Sequence, residues 1–121
     1  MNGSNPEDCI DGAALERLRR VGQDKLVKQM IEIYLDYAPK MLHNALAGEQ
    51  SRDCQAIEHA VHSLKSSAGH IGANAVHDLA RRLESLSRDK QFDALGPLLR
   101  ELETAFEKAQ LRLEELKPRD P

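Results

Sequence analysis

A histidine, a lysine and several small residues lie close together in residues 62–72, which read HSLKSSAGHIG. On a helix that turns by about 100° per residue, four residues fall within about 60° of His62: Glu58, Lys65, Ser66 and Gly69. The apolar side chains of this segment form a stripe centred about 140° from His62: Ile57, Val61, Leu64 and Ala68. We therefore expect His62 to point to solvent while its helix packs against neighbours.

These residue types indicate a face that can carry a phosphoryl group. Imidazole is a good nucleophile near neutral pH, because one ring nitrogen of the neutral form keeps a free lone pair. It can therefore form a covalent bond to phosphorus. The ammonium group of Lys65, one turn further along, can reach the phosphoryl oxygens and offset their charge.

Ser66 and Gly69 leave space beside the histidine ring. A glycine inside a helix is less stable than alanine by roughly 0.5–1 kcal/mol, so Gly69 indicates either the helix end or close approach by another backbone. Gly72 is expected to end the helix. The space beside His62 suits the approach of a second protein.

The run H-S-L-K-S-S-A-G-H-I-G-A, residues 62–73, resembles the signature of histidine-containing phosphotransfer (HPt) domains of bacterial multistep phosphorelays. The family pattern is roughly H-x-L-K-[GS]-[SA]-[SA]-x-x-[LIV]-G-A. The resemblance implies that His62 is the phospho-acceptor and that Lys65 steadies the phosphoryl group. Ser66 is a mild departure, because many members have glycine there. The run LARRLE, residues 79–84, resembles the family's next helix, so the resemblance covers the chain from about Asp11 to Leu116.

The composition favours one helical domain. A chain of 121 residues can bury one modest core without disulfides or a metal. Only 3% of the residues are aromatic and tryptophan is absent, so the core must consist of aliphatic side chains, which favours helices over a β-sandwich. Cys9 and Cys54 are far apart in sequence and are expected to be free thiols.

Apolar periodicity predicts five helical segments. A short helix follows Asp11 and ends near Gly22, and a longer one follows Asp24 and runs to about residue 48, with a kink or local break expected at Pro39. The histidine helix should span about residues 53–72. The next runs from about 74 to 90, and its charged residues are expected to form a solvated face: Asp78, Arg81, Arg82 and Glu84. The last helix starts between residues 93 and 97 and ends near 117.

These segments predict an all-α fold, an antiparallel (up-down-up-down) four-helix bundle with a short additional N-terminal helix across one end. Residues 1–10 are expected to be a flexible lead, residues 11–117 the HPt-like bundle and residues 118–121 a flexible tail. A formal charge of −3 makes nucleic acid an unsuitable partner. Without a signal sequence or a membrane-length apolar run, a cytoplasmic location is expected.

The resemblance implies a phosphoryl carrier rather than an enzyme. His62 would accept a phosphoryl group from the aspartyl phosphate of a receiver domain and pass it to an aspartate of another receiver. The partners would be receivers of response regulators, a hybrid sensor histidine kinase, or both, and the chain is expected to be a monomer. It would need no cofactor of its own, since Mg²⁺ would belong to the partner receiver. The docking face would include four residues: Glu58, His59, Ser66 and Gly69.

Two other functions remain open at this point. The broad apolar second helix or the long last helix could engage another helix, which would make the protein an adaptor without phosphorylation. A metal site is suggested by His59 and His62 at i, i+3 with Glu58 beside them, although a di-iron bundle needs inward-facing E-x-x-H units on two helices. No nucleotide-binding motif occurs, so phosphorylation from ATP by this chain itself is not supported.

Overall fold

The computed structural model describes residues 9–119, and these residues form helices and turns without a β-strand. Four α-helices follow one another: α1 (Gly12–Gln50), α2 (Cys54–Ile71), α3 (Asn74–Arg88) and α4 (Leu95–Leu116). A short 3-10 helix, Phe92–Ala94, leads into α4. Residues 1–8 and 120–121, which include most of the predicted flexible lead and half of the predicted tail, lie outside the described residues.

Helix α1 contains the two predicted helical segments, joined at a sharp break. Gln23 has φ 61° and ψ −161°, which are not helical values, between the predicted end at Gly22 and the predicted cap at Asp24. The backbone stays helical at Pro39, so the chain has no local break there and the interruption lies at Gln23 instead. A proline within a helix removes one hydrogen bond, a loss that tertiary packing of the surrounding turns can outweigh.

The histidine helix α2 has a defined cap at each end. The Asp53 carboxylate accepts a hydrogen bond from the backbone N–H of Ala56 at 3.0 Å, which satisfies one of the free donors at the helix start. Gly72 ends the helix with φ 84°, a left-handed conformation that favours glycine. The predicted bounds of α2 are therefore correct to within about one residue.

The four helices pack as an antiparallel bundle around an aliphatic core. Chain neighbours pack against each other, and α1 also contacts α4. Opposite directions follow from the contacts: Glu49 near the end of α1 pairs with Arg100 near the start of α4, while Lys117 at the far end of α4 pairs with Glu32. Gly48 near the end of α1 likewise lies against Ile57 near the start of α2. The predicted fold class is confirmed.

The first segment of α1 packs at the end of the bundle where α2 turns into α3. The Asp11 N–H donates to the Gly72 carbonyl at 2.8 Å, and a side chain at Gly72 would collide with Ala14. Ile10 is 1% exposed and belongs to the core. The packed part of the chain therefore begins at least one residue before the predicted domain boundary at Asp11.

Between its two ion pairs, the contact between α1 and α4 includes a buried ring pair. Tyr34 and Phe106 stack with their centroids 6.3 Å apart, and both are buried. The Tyr34 hydroxyl is also buried, and it has no hydrogen-bond partner among the described residues. Burial raises the pKa of this hydroxyl. In residues 9–119, no helix is long and apolar enough to cross a membrane.

Candidate functional site

His62 and Lys65 lie on the outer face of α2, one turn apart, as the helical wheel predicts. The apolar stripe of α2 turns inward, with Ile57, Val61 and Leu64 each 0% exposed. The side chain of His62 is 62% exposed, whereas that of Lys65 is 26% exposed. The imidazole is therefore accessible to a partner, and the ammonium group is half-buried beside it.

A carboxylate of α3 joins these two side chains. Glu84 Oε2 lies 2.5 Å from His62 Nδ1, and Glu84 Oε1 lies 2.7 Å from Lys65 Nζ. The Glu84 side chain is only 8% exposed. The two carboxylate oxygens thus hold the imidazole and the ammonium group in one fixed arrangement across the α2–α3 contact.

The prediction that Glu84 belongs to a solvated face is wrong. On α3 alone, Glu84 falls at the edge of the apolar stripe, and α2 covers that edge in the bundle. The burial of this charge is tolerated because both oxygens have cationic or N–H partners. A signal was present in the sequence: Glu84 follows Leu83 directly and is four residues from Ala80, two residues that are fully buried. A charged residue at such a position needs a partner on a neighbouring helix.

The contact with Glu84 determines which ring nitrogen of His62 is free. Burial of Glu84 raises its pKa, but the hydrogen bonds from Lys65 and His62 and the positive charge of these groups together lower it by more, so the net shift is downward from 4.5. The carboxylate is therefore ionised at neutral pH and only accepts hydrogen bonds. Nδ1 of His62 must then carry the proton and donate it. The lone pair of the neutral imidazole consequently lies on Nε2.

Arg88, at the end of α3, connects the same carboxylate to Glu58 of α2. Its Nη2 lies 3.2 Å from Glu84 Oε2, and its Nε donates to Glu58 Oε2 at 3.0 Å. Two acidic and two basic side chains therefore alternate along the α2–α3 contact beside His62. Arg88 was not predicted as a site residue from the sequence, because its partners are 4 and 30 residues away and lie on two helices.

The four predicted docking residues have different surroundings. His59 and Ser66 are exposed on either side of His62 along α2, and His59 lines a pocket with His62 and Arg88. Glu58 is half-buried by its ion pair with Arg88. Gly69 is exposed, but a Cβ there would lie 3.2 Å from the His77 ring of α3, so glycine at this position also allows α3 to approach. Their contact with a partner stays a prediction.

A metal centre has no further support from the described part of the chain. Within residues 9–119, no group of three or more His, Cys, Asp or Glu side chains could hold a metal ion. Glu58, the suggested third ligand beside His59 and His62, instead contacts Arg88. Cys9 and Cys54 are free thiols, as predicted.

Two comparisons with known proteins found a match. The sequence model of the Hpt domain family matches residues 29–112, which contain His62, Lys65 and Glu84. The fold matches the crystal structure of histidine-containing phosphotransfer protein B (HptB) from Pseudomonas aeruginosa PAO1, with a TM-score of 0.88, 22% sequence identity, and coverage of 98% of this chain and 100% of that one. The search of curated proteins found no match. The family match covers more than half of the sequence and includes the α2–α3 site, so this chain belongs to the Hpt domain family of histidine phosphotransfer proteins.

Proposed function

We propose that this chain is a phosphorelay intermediate, which accepts a phosphoryl group on Nε2 of His62 from a receiver-domain aspartyl phosphate and passes it to an aspartate of another receiver. The observation that supports this proposal best is the 2.5 Å contact between His62 Nδ1 and the buried Glu84 carboxylate. It leaves a nucleophilic nitrogen on the exposed side of a ring whose orientation is fixed.

In the accepting step, the Nε2 lone pair attacks phosphorus, the Nε2–P bond forms, and the bond between phosphorus and the aspartyl oxygen breaks. The aspartate leaves as a carboxylate. Because Nδ1 keeps its proton, the phosphorylated ring is cationic, and the negative charge of Glu84 stabilises it. In the donating step, a second aspartate attacks phosphorus and His62 leaves as neutral imidazole, which is a better leaving group than the imidazolate.

Lys65 is proposed to stabilise the phosphoryl oxygens during both steps. Its ammonium group is fixed by Glu84 at 2.7 Å and remains partly exposed on the His62 face. A lysine can offset charge there as a point charge, without the planar geometry that arginine requires. The phosphoryl oxygens would therefore be stabilised by cations of the receiver before transfer and by Lys65 of this chain after it.

The proposed partners are receivers of response regulators or of a hybrid sensor histidine kinase. Mg²⁺ would belong to the receiver, and the chain would need no cofactor of its own. Docking would involve the exposed face around His59 and Ser66 on α2. We also propose that the chain acts as a monomer in the cytoplasm, where such receivers occur.

The test is phosphoryl transfer from a ³²P-labelled receiver to this protein, followed by acid and alkali treatment of the label. We expect a label that is acid-labile and alkali-stable, and we expect His62→Gln to reduce it to background. His70→Gln is the matched control, because His70 is an exposed histidine at the end of the same helix and lies outside the proposed docking residues. Label that survives His62→Gln, or that is lost with His70→Gln instead, would refute the assignment.

A further inference from the structure

Arg88 forms an exposed bridge between two carboxylates beside His62. Its Nε contacts Glu58 at 3.0 Å and its Nη2 contacts Glu84 at 3.2 Å. The hydrogen bond with Glu58 is the largest of the causes that raise the pKa of the guanidinium, ahead of the charge interactions with Glu58 and Glu84. Glu58 is thus the main partner of Arg88 in this structure.

The bridge lies next to the ring that the proposed function phosphorylates. Arg88 Nη2 and His62 Nδ1 contact the same oxygen, Glu84 Oε2, so the guanidinium and the imidazole are close neighbours. Both line an open pocket of about 360 Å³ together with Gln55, Glu58 and His59. This space can accommodate a phosphoryl group and a moving guanidinium.

Phosphorylation would disturb the charge balance of this cluster. Before phosphorylation, Lys65 and Arg88 balance Glu58 and Glu84. A phosphoryl group adds a charge of about −1.5 to −2 at neutral pH and three strong acceptor oxygens. The His62 ring becomes cationic at the same time, so two carboxylates and a phosphoryl group of up to two negative charges would share three cations. Negative charge still exceeds positive charge, and the weaker carboxylate pairing is expected to be lost.

Arg88 is better placed than Lys65 to change partners. Its side chain is 61% exposed, against 26% for Lys65, and its pair with Glu58 is a solvent-exposed ion pair of the kind that contributes little to stability. A guanidinium can also donate two parallel hydrogen bonds to phosphoryl oxygens.

We propose that Glu58 and the phosphoryl group on His62 compete for Arg88. In the unphosphorylated protein Glu58 holds the guanidinium, and in the phosphorylated protein the guanidinium contacts the phosphoryl oxygens instead. Glu58 therefore weakens the retention of the phosphoryl group, and its strength as a competitor sets how readily the group leaves for a receiver. This inference rests on the proposed function of His62.

The test is a double-mutant cycle with Glu58→Gln, Arg88→Gln and the double variant, each phosphorylated chemically with phosphoramidate so that no docking is needed. All four proteins carry His59→Gln, because His59 lines the same pocket and is itself ionisable. The quantity measured is the second pKa of the phosphohistidine phosphoryl group, obtained from ³¹P NMR titration. Circular dichroism verifies that each variant is helical.

We expect Arg88→Gln to raise this pKa by about half a unit to one unit, because a cation favours the dianion. Glu58→Gln removes a nearby negative charge and so lowers this pKa whether or not Arg88 is present. A lower pKa in the Glu58→Gln variant alone therefore does not test the competition. The decisive quantity is the difference between backgrounds: with Arg88 present, Glu58→Gln should lower the pKa by at least twice as much as it does in the Arg88→Gln background. Equal effects in the two backgrounds would overturn the competition.

The same samples separate this inference from the proposed function. Peptide mapping by mass spectrometry identifies the phosphorylated residue. If His62 is phosphorylated and Glu58→Gln changes the phosphoryl pKa equally with and without Arg88, the competition is refuted and the proposed function stands. If phosphoramidate leaves His62 unphosphorylated, the competition fails, and the receiver-transfer test alone decides the proposed function.

Discussion

The α2–α3 contact and the α1–α4 contact each bury a polar side chain, and they do so in opposite ways. The Glu84 carboxylate has partners on both oxygens: His62, Lys65 and Arg88. The Tyr34 ring stacks on Phe106, and its hydroxyl has no hydrogen-bond partner among the described residues. A buried polar group that is hydrogen-bonded fixes the orientation of its partners, whereas one without hydrogen bonds orients no other side chain. The α2–α3 contact therefore serves the chemistry, and the α1–α4 contact serves stability.

The largest effect is expected at the α1–α4 contact. Phe106→Ala should lower the free energy of unfolding by about 3–5 kcal/mol, because it removes a buried ring and leaves a cavity beside Tyr34. Urea denaturation measures this loss, and Phe106→Leu serves as a milder variant if the alanine variant does not fold. The transfer rate per folded molecule should stay unchanged. A large fall in that rate would mean that the two contacts are not separate in function.

At the α2–α3 contact, Glu84→Ala should lower the rate of phosphoryl transfer about tenfold to a hundredfold, by analogy with carboxylates that orient metal-binding histidines. Its effect on stability should be small by comparison, since His62, Lys65 and Arg88 all retain contact with water. Rapid-quench transfer kinetics measure the rate. Glu107→Ala, at an exposed position of α4, is the matched control. A transfer rate equal to that of the control would show that Glu84 plays no part in phosphoryl transfer.

The pH dependence of the free energy of unfolding is a second test of the ion pairing of Glu84. Its pKa is lower in the folded protein than its ordinary value of 4.5, so the unfolded chain binds the proton more readily. The stability that Glu84 contributes is therefore complete above pH 4.5 and is lost as the pH falls through the lower, folded value. Urea denaturation should show that the free-energy difference between the wild type and Glu84→Gln shrinks from pH 6 to pH 3. A constant difference would contradict the ion pairing.

The smallest effect is expected for Tyr34→Phe. Removal of a buried hydroxyl that has no partner among the described residues should leave stability unchanged or raise it by about 1 kcal/mol. The thermal midpoint from circular dichroism measures this change. Destabilisation by more than about 1 kcal/mol would show that the hydroxyl has a bonded partner, and the contrast with Glu84 would disappear.

The differences between sequence prediction and structure have a physical pattern. Features determined within a few residues were predicted well: the break next to Gly22, the start of α2 near Asp53, its end at Gly72, and the outward face of His62. Of the kink or local break expected at Pro39, the local break is absent, because one lost hydrogen bond does not interrupt a long packed helix.

The features that sequence could not supply depend on which helix lies beside which. Glu84 is 22 residues from His62, and Arg88 is 30 residues from Glu58. A helical wheel of α3 shows Glu84 at the edge of the apolar stripe, but only the position of α2 decides whether that edge is covered. The family resemblance led to His62 and Lys65, while the carboxylate that joins them was found in the structure.

The central claim is that Glu84 holds the proton on Nδ1 of His62 and so makes Nε2 the phosphoryl acceptor. Long-range ¹H–¹⁵N NMR of the His62 ring, recorded before and after phosphorylation, tests this directly. The account predicts an Nδ1–H tautomer in the free protein and phosphorus bonded to Nε2 in the phosphorylated one. Phosphorus bonded to Nδ1, or a free ring protonated on Nε2 alone, would contradict it.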